Sequence, residues 1–362
     1  MDGGSVGSIN QYPEKKIDLV IDSLGLGGAE RVCCNYANIL VDKGYKVRII
    51  FFRKSSDSYL EFINNKVEVI LVESSSCPMF IVNLIKIKFN LSDVIITFNH
   101  QISILIRFYI LCSRTKKKII ARNVNFLSSD LKQRKFGIKK LLTSLSTKLF
   151  YRNMNAYIAQ CNAMKEDMVS SCGIDINKIS VVYNPVSDSI KYFETTKDID
   201  ILFVGRLSNQ KGIEYLSKII RNIIEINDKA KIFIIGKGDK YSYIEELLKE
   251  FPLNIRYLEK TDNVNFFYNR AKLTILTSKY EGFPNVLAES LKAKTPVVSF
   301  DCKSGPSEII EHGVNGYLVP CYDTELFVQY VFRALSGKIS GPILYQNESN
   351  IGKELNLIID KL

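Results

Sequence analysis

The sequence predicts an α/β protein built from two doubly wound parallel-sheet domains, each Rossmann-like, facing a central cleft. Three observations predict it. The chain has 362 residues, the length of two ordinary domains. Short β-branched runs alternate with longer stretches of helical period, the pattern of parallel sheets covered by helices on both faces. The alternation lapses once, over Asn184–Lys197, where Pro185 and several Ser, Thr and Asp interrupt it.

Taken in order, residues 1–16 are polar and rich in Gly and Ser without an apolar signal-peptide core, so a flexible lead-in is expected. Strands follow near Ile17–Ser23, Lys46–Arg53, Val67–Glu73, Asp93–Phe98, Lys117–Ala121 and Ala156–Gln160, with helices notably over Ala29–Asp42 and Leu131–Arg152. The second half repeats the rhythm with strands at Asp200–Val204, Lys231–Ile235, Asn254–Leu258, Leu273–Thr277 and Val297–Phe300. Its helices begin near Gly212, Tyr241, Val264, Asn285, Pro306 and Asp323. The domains are therefore expected at 17–184 and 198–345, with a linker at 185–197. A last helical segment, 346–362, is expected to pack back on the N-terminal domain.

Composition narrows the function. Hydrophobic residues make up 46% and charged residues 24%, ordinary for a globular protein. No apolar run reaches the ~20 residues of a membrane span; Ile102–Cys112 is the nearest, and it carries Arg107. Eight cysteines without a C-x-x-C pair, beside only two histidines, argue against a zinc site and for reduced thiols in the cytoplasm. Net charge is +11 and uneven. Residues 1–190 hold 26 Lys/Arg against 16 Asp/Glu, while 191–362 hold 23 against 22. The first half thus suits a polyanionic or membrane-surface partner. Thirteen cations and one acid, Asp130, fall between Arg107 and Arg152, and Ile138, Leu141, Leu142, Leu145 and Leu149 recur there at helical spacing. Such a helix lies on a membrane surface or packs its apolar face on the core. No nucleic-acid-binding motif is present.

Three loops carry candidate chemistry. Gly25–Arg31 (G-L-G-G-A-E-R) follows the first strand, and its glycines permit close approach of a phosphate. It lacks the third glycine of a dinucleotide fingerprint, with Glu30 in that place, so a dehydrogenase is weakly supported. Val204–Gly212 (V-G-R-L-S-N-Q-K-G) sets Arg206 and Lys211 five apart, a fork donor and a compact ammonium suited to a diphosphate. Thr277–Val319 places Glu281 and Glu289 on either side of a Gly-Phe-Pro-Asn turn that opens a helix. A helix N-terminus attracts phosphate and carboxylates accept hydrogen bonds from hydroxyls, so a diphosphate carrying a sugar at each end fits. His100 stands at the carboxyl end of the fourth strand, where ligands of such sheets sit, or caps the following helix. His312 reads as structural. Asp198 and Asp200 form an Asp-x-Asp pair, read as a solvated linker feature because no further ligands converge on it.

The elements G-G-A-E-R, V-G-R-L-x-x-x-K-G, E-G-F-P-N-V-L-A-E and S-G-P-S-E-I-I-E-x-G-x-N-G-Y-L-V, in this order, resemble the retaining glycosyltransferases of family 4, which have the GT-B fold. The resemblance covers about 17–335. It implies that Glu289 holds the nucleotide ribose, Glu281 contacts the transferred sugar, and Arg206 and Lys211 hold the diphosphate. It also implies that backbone amides over Phe283, Pro284, Asn285, Val286 and Leu287 meet the sugar and phosphate, with Gly27 and Gly28 approaching from the other domain and His100 acting near the acceptor or transferred sugar. The N-terminal domain would then bind acceptor and the C-terminal domain nucleotide sugar. No cofactor and no metal is expected beyond the nucleotide-sugar donor, most readily UDP-linked. The expected acceptor is a polyprenyl-diphosphate-linked glycan at the inner face of the cell membrane, as in bacterial lipopolysaccharide, O-antigen or capsule synthesis. Two other readings share these features: a sugar-nucleotide epimerase of the same fold, and a non-catalytic module binding membranes or polyanions.

Overall fold

The computed structural model describes residues 15–25, 27–55, 58–123, 149–187, 189–303, 305–339 and 351–362. Most of the expected lead-in and of the basic helix Leu131–Arg152, together with Ser304, lies outside the described residues.

Seven strands, β1 (Lys16–Val20), β2 (Lys46–Phe51), β3 (Glu68–Leu71), β4 (Val94–Phe98), β5 (Lys118–Arg122), β6 (Ala156–Ala159) and β7 (Ile179–Val181), form a sheet of order 3-2-1-4-5-6-7. Six more, β8 (Ile199–Val204), β9 (Ile232–Ile235), β10 (Ile255–Leu258), β11 (Ala271–Leu276), β12 (Val297–Phe300) and β13 (Gly316–Val319), form a sheet of order 10-9-8-11-12-13. The registered pairs are parallel. Both orders reverse direction beside their first strand, between β1 and β4 and between β8 and β11. These are the switch points at which helices leave to opposite faces and a crevice opens at the strands' carboxyl ends.

By its internal contacts the chain divides into two compact units. Among described residues the first takes those up to 123, 149–158 and Ile351–Leu362, and the second takes those from 159 to 339. The segment 185–197, expected as a linker, counts with the second unit.

In the first unit, α1 (Gly28–Asp42), α2 (Cys77–Lys86) and α3 (His100–Ser113) follow β1, β3 and β4. Ser76 caps α2 and Asn99 caps α3, each accepting from a backbone N–H three residues on. The C-terminal helix, α11 (Ile351–Asp360), belongs to this unit and packs on α1. Gly352 permits that approach, since a Cβ there would stand 3.1 Å from Ile39 Cγ2.

The second unit contains α4 (Asn162–Cys172), α5 (Ile213–Ile226), α6 (Tyr241–Glu250), α7 (Val264–Arg270), α8 (Asn285–Lys292), the single turn α9 (Pro306–Ile309) and α10 (Thr324–Leu335). Alternating spacings of three and four bury Ile213, Leu216, Ile219, Ile220, Ile223 and Ile224 of α5 against Ile201, Phe203, Ile234 and Ile275 of the sheet. Each such side chain contributes about 1.5–3 kcal/mol by leaving water.

One polar network pins the first sheet. Asp18 on β1 is fully buried and accepts from Arg48 Nε at 2.7 Å, Arg48 Nη2 at 2.9 Å, the Ser92 amide at 2.6 Å and the Ser92 hydroxyl at 2.8 Å. Arg48 lies on β2 and Ser92 just before β4, so one carboxylate fixes the register of three strands. Asp18→Asn removes the charge and turns a donor toward donors. It should cost about 3 kcal/mol in urea unfolding, and a loss below ~0.5 kcal/mol would show that packing alone holds these strands.

Candidate active site at the second switch point

β8 and β11 are paired neighbours, so the loops at their carboxyl ends face each other across the switch point. Val204 ends β8 and the chain turns through Gly205, Arg206 and Leu207 into a single helical turn, Asn209–Lys211. Leu207 is buried and anchors the loop, while Arg206 is exposed. Gly212 then takes φ +62°, and a Cβ there would stand 2.2 Å from the Thr277 carbonyl oxygen. Only glycine permits that conformation at that distance. The two loops are consequently laced together. Lys279 N–H donates to the Gln210 carbonyl at 2.9 Å, Gln210 Nε2 to the Tyr280 carbonyl at 3.1 Å, and Thr277 Oγ1 to the Lys211 carbonyl at 2.9 Å.

This lacing brings the predicted charges together. Lys211 Nζ lies 2.6 Å from Glu281 Oε1, and Ser278 Oγ donates to the same oxygen at 2.5 Å. Glu281 is only 6% exposed, so its carboxylate depends on these partners. Phe283 and Pro284 are buried and lead into α8, where Pro284 as N-cap supplies no side-chain cap and the Asn285 and Leu287 amides donate to the Phe283 and Pro284 carbonyls at 3.0 and 2.9 Å. Asn285 begins the helix, and Val286 and Leu287 complete its first turn inside the core. Glu289, one turn further and 4% exposed, accepts from the Tyr268 hydroxyl at 2.9 Å. The second unit therefore assembles Lys211, Glu281, Glu289 and the N-terminus of α8 around one switch point, with Arg206 on the same loop as Lys211.

Three supporting groups escaped the sequence reading. Tyr268, buried on α7, orients Glu289. Asn184 donates to Gln160 Oε1 at 3.0 Å and to Asn285 Oδ1 at 2.8 Å, fixing the first residue of α8. Glu308 on α9 accepts from the amides of Asn162 at 2.9 Å and Ala163 at 3.1 Å, and from the Tyr183 hydroxyl at 3.0 Å. It thus caps α4 from 146 residues away. Burial, and then this carboxylate, push the Tyr183 phenol up to about 12. None of these pairings has a sequence spacing that reveals it; only the Gly-Pro before Glu308 marks a turn.

The remaining predicted residues gather at the first unit's own switch point. Gly27 precedes α1 and Gly28 opens it, at the end of β1, and a Cβ on Gly27 would stand 2.1 Å from a Glu30 carboxylate oxygen. His100 opens α3 after β4, is 8% exposed and meets the Tyr151 ring edge-on at 6.4 Å. Asn99, before it, holds φ +123°, a strained conformation for a residue with a side chain and of the kind concentrated at functional sites.

Asp198 and Asp200 sit at the opposite, amino end of β8. Arg270 donates to Asp198 Oδ1 at 2.7 Å and to its other oxygen, and these bonds hold that carboxyl below the usual range. Lys272 pairs with Asp200 at 2.8 Å. His312 accepts from the Leu318 amide at 3.2 Å between the rings of Tyr317 and Tyr330.

Two doubly wound sheets, the second with a cation–acid pair and a helix N-terminus at its switch point, define an α/β protein of the kind that takes ligands at the strands' carboxyl ends. Comparison with known proteins specifies it. The model for Glycosyltransferase Family 4 matches residues 26–189 and that for Glycosyl transferases group 1 matches 187–354, so the chain belongs to this glycosyltransferase family and is an enzyme of that class. The amylovoran biosynthesis glycosyltransferase AmsD of Erwinia amylovora is 25% identical over 360 residues, 94% of this chain and 97% of that protein. The Campylobacter jejuni protein named GalNAc-alpha-(1->4)-GalNAc-alpha-(1->3)-diNAcBac-PP-undecaprenol alpha-1,4-N-acetyl-D-galactosaminyltransferase is 26% identical over 359 residues, 94% of this chain and 91% of its own. Among solved structures, Anabaena HepE in complex with UDP-glucose matches with a TM-score of 0.78 at 16% identity, over 96% of this chain and all of that one. That likeness gives the fold as GT-B.

Replacing Glu308 by Ala should cost about 1–2 kcal/mol, as loss of a helix cap does, seen as a lowered midpoint in thermal unfolding. An unchanged midpoint would deny it the capping role.

Proposed function

We propose that this enzyme moves a hexose or N-acetylhexosamine from a nucleotide diphosphate sugar, UDP-linked, to a lipid-linked glycan, with retention of configuration, in bacterial surface polysaccharide synthesis. The observation that carries the reading is the pairing of half-buried Lys211 with buried Glu281 beside the N-terminus of α8 and the Tyr268-held Glu289. UDP-glucose is the ligand in the HepE structure, and an undecaprenol-diphosphate glycan stands in the name of the Campylobacter relative. Both support the donor and acceptor classes by similarity.

The chemistry follows from charge. Breaking the bond from the anomeric carbon to the diphosphate oxygen leaves positive charge on the sugar and negative charge on the diphosphate. Lys211, Arg206 and the α8 N–H groups stabilise that leaving oxygen where its charge grows. Glu281 accepts from hydroxyls of the sugar, and Glu289 from the ribose. The acceptor hydroxyl forms the new bond on the face that the diphosphate leaves, and its proton passes to the departing phosphate oxygen. No protein base is then consumed, and His100 orients the acceptor or the transferred sugar from the first unit. The same cations make a divalent ion unnecessary, while Asp198 and Asp200 are held in ion pairs at the far end of β8. The lipid-linked acceptor of this proposal calls for reaction at the cytoplasmic face of the cell membrane.

Glu289→Ala should weaken UDP binding about tenfold or more in calorimetry, the loss expected when a charged hydrogen bond of roughly 1.5–3 kcal/mol disappears. Unchanged affinity would remove the ribose assignment. Lys211→Ala should lower kcat by about 100- to 1,000-fold, whereas EDTA should leave turnover unaltered. Activity lost to EDTA and restored by manganese would overturn the metal-independent reading.

A further inference from the structure

We propose that the outward face of α2 and α3 in the first unit is a docking surface for an anionic lipid bilayer. The two helices pack side by side, and the Tyr109 hydroxyl of α3 donates to the Phe89 carbonyl just beyond α2 at 2.5 Å. Their inner faces are ordinary core: Phe80, Ile81 and Leu84 from α2, with Ile102, Ile106 and Ile110 from α3. The outer faces are also apolar. Met79, Val82 and Ile85 recur at a spacing of three along α2, followed by Ile87, and Phe108 and Leu111 do the same on α3. All six are between 42% and 58% exposed. A soluble surface rarely gathers such residues without a partner.

Charge selects the partner. Asp93 is the one acid in residues 74–118, exposed and 3.9 Å from Lys117 Nζ, against Lys86, Lys88, Arg114 and Lys116, which are all exposed. These cations cluster where both helices end, and Lys88 and Arg114 hold φ +49° and +53°, positions at which glycine is the less strained choice. Helix dipoles account for cations at those ends, but not for the apolar rows beside them. An apolar face whose end carries four exposed cations against one acid matches acyl chains lying beneath anionic headgroups. A second copy of the chain fits poorly. A two-fold contact sets the same patch against itself, cations against cations. Among described residues no helix is long and apolar enough to cross a membrane, so contact here is by adsorption.

The surface serves the lipid-linked acceptor proposed above, but vesicle binding needs neither donor nor acceptor, so the two proposals fail separately. The full chain should float with vesicles of phosphatidylglycerol and phosphatidylcholine, less so at high salt, and not with phosphatidylcholine alone. Lys86→Gln with Lys88→Gln should lower the partition about thirtyfold, and Val82→Ser with Phe108→Ser at least about tenfold. Melting temperature and UDP affinity should stay at the wild-type values in both. Wild-type partition of both variants, or equal binding to neutral vesicles, would overturn the proposal. So would a solution dimer that these substitutions dissolve without any vesicle binding, which would make the face an interface between copies.

Discussion

Glu281 is a carboxylate with almost no access to water, and the second unit is organised around that constraint. A buried charge is tolerated only when its oxygens are occupied. Lys211 and Ser278 occupy one of them, and neither is near Glu281 unless the β8 and β11 loops are held together. Gly212 allows that closeness, Thr277 and Gln210 lock it, and the reversal of strand order between β8 and β11 makes it possible at all. The ammonium is thereby positioned before any ligand arrives. A charge already in place costs no reorganisation when negative charge develops beside it.

The supports around this pair have a common logic. Each polar group reaching the α8 end is itself held by another: Glu289 by Tyr268, Asn285 by Asn184, and Asn184 by Gln160. Glu308 extends the pattern by capping α4 and anchoring Tyr183, whose ring packs against Phe283 at 6.0 Å. Buried polar chains of this kind rigidify a site when every member is satisfied. The first unit carries a counterpart at its own switch point, where Asn99 caps α3 in a strained conformation and aims His100 into a buried position against Tyr151.

Charge is divided between the units by task. In the second unit several cations are satisfied locally, at Arg270–Asp198, Lys272–Asp200 and Lys279–Glu214. In the first, Arg48 is spent on Asp18, while the cations at the ends of α2 and α3 stand in solvent. Among the described residues of the first unit, these exposed cations are a surface property and not part of the core.

The sequence by itself determined the alternation of strands and helices, the loops that carry Arg206, Lys211, Glu281 and Glu289, and their place after the first and fourth strands of the second sheet. These are local properties: β-branched runs, helical period and turn residues express themselves within a few positions. It also marked a basic N-terminal half and placed the break in the chain at 184–197, where the two family models meet at 187–189, while contacts group the described residues 159–339 with the second unit. Composition at a turn says nothing of which core a segment packs against. Tertiary structure alone decided that Lys211 meets Glu281 rather than standing in solvent, and that Tyr268, Asn184 and Glu308 belong to the site. Those contacts join residues 21 to 146 positions apart, and no local propensity encodes a distance that arises only when distant segments pack in one unit.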